Sequence, residues 1–451
     1  MAVEDGRAAP SPHAAAGEHV DAPVDPVRGV VSAGIFNDPR IHELELERIF
    51  GRSWLFVAHE SEIPEPGNFV TRRMGEDPVI VVRTDEGRVA VLLNVCRHRG
   101  RRVCLEDCGT ARRFICGYHG WTYSESGELT GVPFFDAYQG RLNKSELGLL
   151  AAPHVDSYKG LIFATWDPNA GTLLDYLGPA AWSLDLLFGR SDAVEVVGPP
   201  VRWEAKANWK LGAANFVGDG QHIFTTHGFS TAMGLHKFQL KGGPPLSYLA
   251  TAGNGHAISY ACWPPAADAE PYFGLPQELH AEFERHLSPE QLEAMRPLFT
   301  MAGNVFPNLS FLQPAGHTVE EWGGQPGEES MTFLTLRQWQ PRGPGRMEAW
   351  SWLLMDRNAP EQWQRASREC YRRTFGPAGT FEQDDLANWS AITEALSSPK
   401  AKELWLHYEM GLGTPTWEGW LGPGSAYQQR PFMDMGERLF YGAWQEKVFA
   451  R

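Results

Sequence analysis

Asn94-Val95-Cys96-Arg97-His98-Arg99-Gly100 and, further on, Ile115-Cys116-Gly117-Tyr118-His119-Gly120-Trp121 decide how this chain folds. Each stretch offers one thiol and one imidazole, as Cys-x-His and then Cys-x-x-His. Only residues 99–115 separate His98 from Cys116. Donors this close share a tight hairpin loop, and two such loops facing each other hold a metal centre. Tetrahedral zinc is one occupant; a [2Fe–2S] cluster, with two Cys on one iron and two His on the other, is the second. Glycines follow both His residues and one lies inside the second loop. They let the backbone approach bridging sulfides, which favours the cluster. Cys104 and Cys108 form a competing pair with no His in place and read as ordinary buried thiols. Cys262 and Cys370 are isolated and read as structural.

The flanks of these loops are β-like. Phe69-Val70-Thr71-Arg72, Val79-Ile80-Val81-Val82 and Val89-Ala90-Val91-Leu92 are short apolar or alternating runs. Gly67, Asp85-Glu86-Gly87 and Ser126-Gly127 punctuate them. This predicts a small antiparallel β domain over residues 53–173, closing near Leu161-Ile162-Phe163-Ala164-Thr165-Trp166. Residues 40–50 read as a short amphipathic helix, and 35–52 are assigned as a helical part of the second domain. Residues 1–34, rich in Ala, Pro, Gly and Asp, read as a disordered tail without the basic start and apolar stretch of a signal peptide.

From 174 to 451 the pattern is mixed. Val201 to Ala207 reads as a strand, and 208–235 as helix then loop. Pro276 to Arg296 reads as helix with a Ser288-Pro289-Glu290 cap inside it. Met331 to Gln340 and Met347 to Met355 read as two antiparallel strands. Pro360 to Arg373 and Glu382 to Leu396 read as helices. The fold class is α+β.

Forty Lys and Arg against 55 Asp and Glu give a formal charge of −15. With no long basic block, nucleic acid is excluded as a partner. No run approaches the roughly 18 apolar residues of a membrane span. Six cysteines without an export signal point to the cytoplasm. The short run Arg97–Arg102 reads as loop around the metal site, or as a dock for an acidic electron carrier.

Cys-x-His-Arg-Gly and Cys-x-Tyr-His-Gly-Trp, as they stand here, resemble the paired motifs of Rieske non-haem iron aromatic ring-hydroxylating dioxygenases, large (α) subunits. The resemblance runs from about residue 35 to the end. It is strongest toward actinobacterial polycyclic-aromatic and naphthalene types, through phrases such as Ala58-His59-Glu60-Ser61-Glu62-Ile63-Pro64 and Gly422-Pro423-Gly424. It implies that Cys96, His98, Cys116 and His119 hold a Rieske [2Fe–2S] cluster. It also implies a catalytic domain with an antiparallel sheet wrapped by helices, of the START or helix-grip kind.

A second constellation follows Trp209: Asp219-Gly220-Gln221-His222-Ile223-Phe224-Thr225-Thr226-His227. Two His five apart face one point where a helix unwinds between them. Alone, such a pair reads as structural or zinc-binding. The resemblance makes it the mononuclear Fe(II) site, where two His and one carboxylate leave positions open for O2. Gln221 stands where the family usually has Tyr. The segment 374–385 resembles the one supplying the carboxylate. This assigns Asp385, with Asp384 as the alternative; the other acid is read as charge at a helix start. Asp219 takes the family role of a bridge between His222 and His119 of a neighbouring subunit.

The resemblance further implies a cis-dihydrodiol product and electrons from NAD(P)H through a reductase and a ferredoxin. A small β subunit would complete an α3β3 hexamer. Positions matching the substrate pocket are Asn215, Phe216, Ile223, Phe311, Phe375 and Phe381, each Phe being equally readable as core. Their apolar character ranks aromatic hydrocarbons first and aromatic carboxylates such as phthalate second. The rival class is an electron-transfer protein using the cluster alone.

Overall fold

The computed structural model describes residues 22–228, 246–265, 269–314, 317–318, 330–429 and 432–449. Three small antiparallel sheets surround the two Cys/His loops. The first runs Val89–Leu93, Asp77–Arg83, Asn68–Met74, Cys108–Thr110. The four residues 79–82 are all buried, yet they alternate between two cores. Val79 and Val81 join the large core shared with the C-terminal part, while Ile80 and Val82 join Phe69, Phe114, Trp121 and Tyr123 around the loops. That is the two-residue period of a strand covered on both faces. The second sheet, Arg113–Ile115, Thr122–Ser124 and Leu129–Gly131, carries the second loop. The third is formed by His154–Tyr158, Leu161–Thr165 and Leu55–His59.

The remainder is built on a nine-stranded antiparallel sheet. Its axis is the long pair Leu334–Pro341 and Met347–Asp356, registered Leu334 opposite Leu354. The sheet is tied to the N-terminal region by Gln338 Nε2, which donates to Phe56 O, and by Gln340 Nε2, which donates to Arg73 O. Helices Trp209–Phe216, Glu361–Thr374, Thr380–Ala395 and Met435–Phe449 pack against it. The whole matches the expected α+β class, with an antiparallel sheet wrapped by helices. No described helix is long and apolar enough to cross a membrane.

Three expectations are corrected. Residues 1–21 lie outside the described residues, but from 22 onward the expected disordered tail is ordered. Val24–Asp25 pairs with Val30–Ser32, which pairs with Trp405–His407 more than 370 positions downstream. Strands of two or three residues carry no period that a sequence reading can detect. The helix expected over 276–296 is two short helices, His280–His286 and Pro289–Met295, because Leu287 is extended and Ser288 starts a fresh capping box with Gln291. Cys108, expected to be buried, is exposed on its edge strand, whereas Cys104 is buried.

Candidate metal centres and active site

The two Cys/His loops use one backbone device twice. Cys96 N–H donates to Arg101 O at 2.9 Å, and Gly100 N–H to Cys96 O at 2.9 Å. Cys116 N–H donates to Trp121 O at 2.8 Å, and Gly120 N–H to Cys116 O at 2.9 Å. Both loops turn at a glycine in the left-handed region, φ +76° at Gly100 and +72° at Gly120. Any side chain there would be strained.

Cys96 and Cys116 are buried and in contact with each other. The rings of His98 and His119 meet edge to face at 4.5 Å, and Trp121 lies flat on His98 at 4.9 Å. The Tyr123 hydroxyl lies 3.4 Å from Cys96 Sγ and accepts Arg97 N–H at 3.0 Å. His98 Nδ1 is buried with no hydrogen-bond partner, which costs free energy unless something binds it. Burial alone would raise the Cys116 thiol, but the N–H groups of Tyr118 and His119 and the Cys96 side chain bring it down. An orphaned imidazole nitrogen beside two thiols, one eased toward thiolate, fits an iron–sulfur cluster.

A single zinc requires all its donors to converge. Among the described residues, the donor atoms that all lie within 4.8 Å of one another belong to His222, His227 and Asp385. The Cys/His quartet is spread wider, as two irons need.

The iron-type site starts on the helix Trp209–Phe216. Asn208 caps it, its side chain accepting Lys210 N–H at 3.0 Å. The helix ends before Gly218, and the chain tightens into the turn His222–Phe224. His222 Nδ1 donates to Asp219 O at 2.5 Å, and His222 N–H to Asp219 Oδ1 at 3.3 Å. His227 Nδ1 donates to Asp384 Oδ2 at 3.3 Å. With both Nδ1 hydrogens committed, each Nε2 presents a lone pair. They face the same atom: Asp385 Oδ1 lies 3.7 Å from His222 Nε2 and 3.4 Å from His227 Nε2.

Adjacent acids on the helix Thr380–Ala395 point about 100° apart. Asp385 faces inward to both imidazoles, whereas Asp384 is half-buried and holds the far side of His227. Burial pushes the Asp385 carboxyl up to about 8; His222 opposes this, while Glu382, Asp219 and Asp384 add to it. Burial and then His222 pull His227 down to about 4. Burial opposes charging of His222, but Asp219 and Asp385 outweigh it and move it up. Acids crowded around two imidazole lone pairs make an anionic donor set that a divalent metal fits.

Of the expected pocket residues, the structure brings several together. Phe381 packs on the His227 ring at 4.4 Å, and Phe375 on Phe381 at 5.4 Å. Asn215 Nδ2 lies 3.5 Å from both Asp219 Oδ2 and His222 Nδ1. Ile223 sits in the turn between the two His, and Phe216 packs on Trp339. Phe311 is elsewhere: it is fully buried in a separate core cluster against Phe188. Gln221 is exposed at the start of the turn. The sequence reading did not find Asp384 as the partner of His227. Nor did it find Arg337, which reaches Glu382 at 3.2 Å and anchors the Asp385 helix to the sheet. An acid beside the assigned ligand was the available signal for the first; nothing local signals the second.

A family model for the Rieske [2Fe-2S] domain matches residues 53–154, and one for the ring hydroxylating alpha subunit (catalytic domain) matches 176–441. The chain is 38% identical over 406 residues to biphenyl 2,3-dioxygenase subunit alpha of Rhodococcus jostii (strain RHA1), covering 86% of this chain and 83% of that protein. It is 35% identical over 436 residues to the N,N-dimethyl phenylurea N-demethylase subunit alpha of Sphingobium sp. (strain YBL2), covering 93% and 92%. The solved structure of naphthalene 1,2-dioxygenase from Rhodococcus sp. bound to indole superposes with a TM-score of 0.86 at 42% identity, covering 94% and 95%. The cluster loops, the His/His/Asp site and these matches together make the chain a member of the alpha-subunit family of Rieske non-haem iron aromatic ring-hydroxylating dioxygenases.

Proposed function

We propose that this chain is the large subunit of a terminal oxygenase that places both atoms of O2 on an aromatic hydrocarbon, giving a cis-dihydrodiol. Balance requires two electrons and two protons for each ring and O2. The electrons come from NAD(P)H through a reductase and a ferredoxin, and a small β subunit completes the assembly in the cytoplasm. Cys96, His98, Cys116 and His119 hold the cluster; His222, His227 and Asp385 hold Fe(II). When bound, the two centres supply one-electron storage and O2 activation.

The observation that carries this reading is the convergence of two imidazole Nε2 atoms on one Asp385 oxygen. The chain's own groups do the rest. Asp219 and Asp384 fix the tautomer and tilt of the two imidazoles. Asp219 also offers its carboxylate toward His119 of a neighbouring subunit. Phe375 and Phe381 form an apolar wall beside His227 that excludes water and suits a flat ring.

Metal, acid-labile sulfide and EPR analysis of anaerobically prepared protein tests the centres. The reading requires about three irons and two sulfides per chain; two irons without turnover would make the chain an electron carrier. Product analysis then uses naphthalene, biphenyl, phthalate and an N,N-dimethyl phenylurea, the last because of the demethylase relative. Dihydrodiols from the first two are expected. Demethylation alone, or turnover of phthalate alone, would overturn the substrate assignment.

A further inference from the structure

A cleft of about 260 Å³ lies where the Rieske region meets the catalytic sheet, lined by none of the metal-ligand candidates and bordered by Asn94 and Arg102 at the two ends of the first cluster loop. Four arginines line it: Arg72 and Arg73 from the strand Asn68–Met74, Arg102 from the first cluster loop, and Arg202 from the strand Val201–Ala205. Only two carboxylates line it with them, Asp107 and Glu348.

The pairing leaves positive charge over. Arg72 is buried, and its charge is balanced by Glu62, which lies outside the cleft, while its Nε has no hydrogen-bond partner among the described residues. Arg202 pairs with Asp107 at 3.2 Å, and Arg73 approaches Glu348 at 3.6 Å. Both pairs cross between the two regions. Arg102 has no carboxylate within 4.0 Å among the described residues and is exposed at the mouth. Trp350 forms a floor, with the Arg72 and Arg202 guanidinium carbons 5.1 and 5.2 Å from its ring. These stacking contacts hold two guanidiniums in fixed orientation. Burial, then the nearby Arg342, press the Arg73 pKa down against the pull of Glu348, and Arg102 adds to the pressure. Cations crowded in a polar cleft this size match the forked recognition of a small oxyanion.

We propose that this cleft binds a small oxyanion, inorganic phosphate or a short dicarboxylate, with Arg102 and Arg73 as its principal donors. An anion there would bridge the two regions and add to the Arg202–Asp107 and Arg73–Glu348 pairs. It would also lie beside Asn94, which fixes the first cluster loop by accepting Val103 N–H and Cys104 N–H at 2.8 and 2.9 Å.

The test is calorimetric titration of the holoenzyme with sodium phosphate, sulfate and succinate, each against sodium chloride at matched ionic strength. Saturable one-site binding is expected for phosphate or succinate, and whichever binds more tightly identifies the source. Arg102 is exposed, so Arg102→Gln should fold normally and should bind about tenfold more weakly, as the loss of one charge-assisted contact predicts. Arg112→Gln, an exposed arginine outside the cleft, should change nothing. Heat changes no different from chloride, or equal affinity in Arg102→Gln and wild type, would overturn the proposal. Metal content and product formation are read in parallel, so a failed oxygenase assignment is distinguished from a failed anion site.

Discussion

Asp384 and Asp385 are neighbours in sequence with different surroundings, and the difference is testable one residue at a time. Asp385→Asn keeps the shape but removes the anionic donor facing both imidazoles. The mononuclear iron should fall from one per chain to near none, with the cluster EPR signal intact and turnover lost. Asp384→Asn changes the group that holds the far side of His227 and leaves the Asp385 carboxylate in place. Its cost should be about 10–100-fold in iron affinity or turnover, the usual range for a group supporting a metal ligand. Equal losses in both variants would break the assignment. Asp219→Ala should retain both metals and stop turnover; a purified variant that still turns over would remove the bridge. Sequence made the ligand types legible because metal donors recur at fixed spacings. It left the choice between adjacent acids open, since that depends on how the helix Thr380–Ala395 is rotated against the turn. Phe311 illustrates the same limit. Its side chain looks no different in sequence from Phe375, but its strand carries it into another core.

At the scale of elements, a buried histidine locks a hairpin turn to two partners. His256, just before the strand Ala257–Cys262, accepts Phe306 N–H at Nδ1 at 2.9 Å and donates from Nε2 to Tyr176 O at 2.8 Å. Burial holds its pKa down to about 4, and burial does the same to His59. A free histidine titrates near 6.5. The unfolded chain therefore takes up the proton first. Stability present above pH 6.5 drains away as the pH falls toward 4, in the opposite sense to a histidine charged by a partner. Between pH 7 and pH 5 the loss should be about 2 kcal/mol for each histidine. Urea unfolding of the holoenzyme at the two pH values measures it, and His256→Gln should flatten the fall by about that amount while costing stability at pH 7. An unchanged slope would mean that His256 is not the group titrating. The long strands, the helix Glu361–Thr374 and the loops were legible because their periods and spacings are local. The strands Val24–Asp25 and Val30–Ser32 were not, since they are held by partners far along the chain, Trp405–His407 and the Gln445 side chain.

The whole molecule is gathered at one buried carboxylate. Glu45, on the N-terminal helix Pro39–Glu45, accepts from Lys210 Nζ at 2.5 Å, Trp209 Nε1 at 2.9 Å and Trp444 Nε1 at 2.8 Å. Lys210 and Trp209 begin the helix that delivers Asn215 and Phe216 to the active site, and Trp444 lies on the C-terminal helix. The ammonium and carboxylate are essentially inaccessible, and the Lys210 charge also sits over the rings of Trp444, Trp209 and Phe36 at 5.3–5.6 Å. Such a pair contributes little beyond an apolar substitute, but half of it is costly. Glu45→Ala strands a buried cation and two indole N–H groups and should destabilise by about 3–5 kcal/mol. Glu45→Leu with Lys210→Met should recover the part of that loss that comes from the stranded charge, leaving only the cost of the two orphaned indole N–H groups. If the double variant were no better than the single one, the pair would be an asset in itself and the reading would be wrong. Because the Trp209 helix leads straight into Asp219 and His222, Glu45→Ala should also load less mononuclear iron than cluster iron. The double variant should restore the ratio, and iron and sulfide assays on the same preparations decide it.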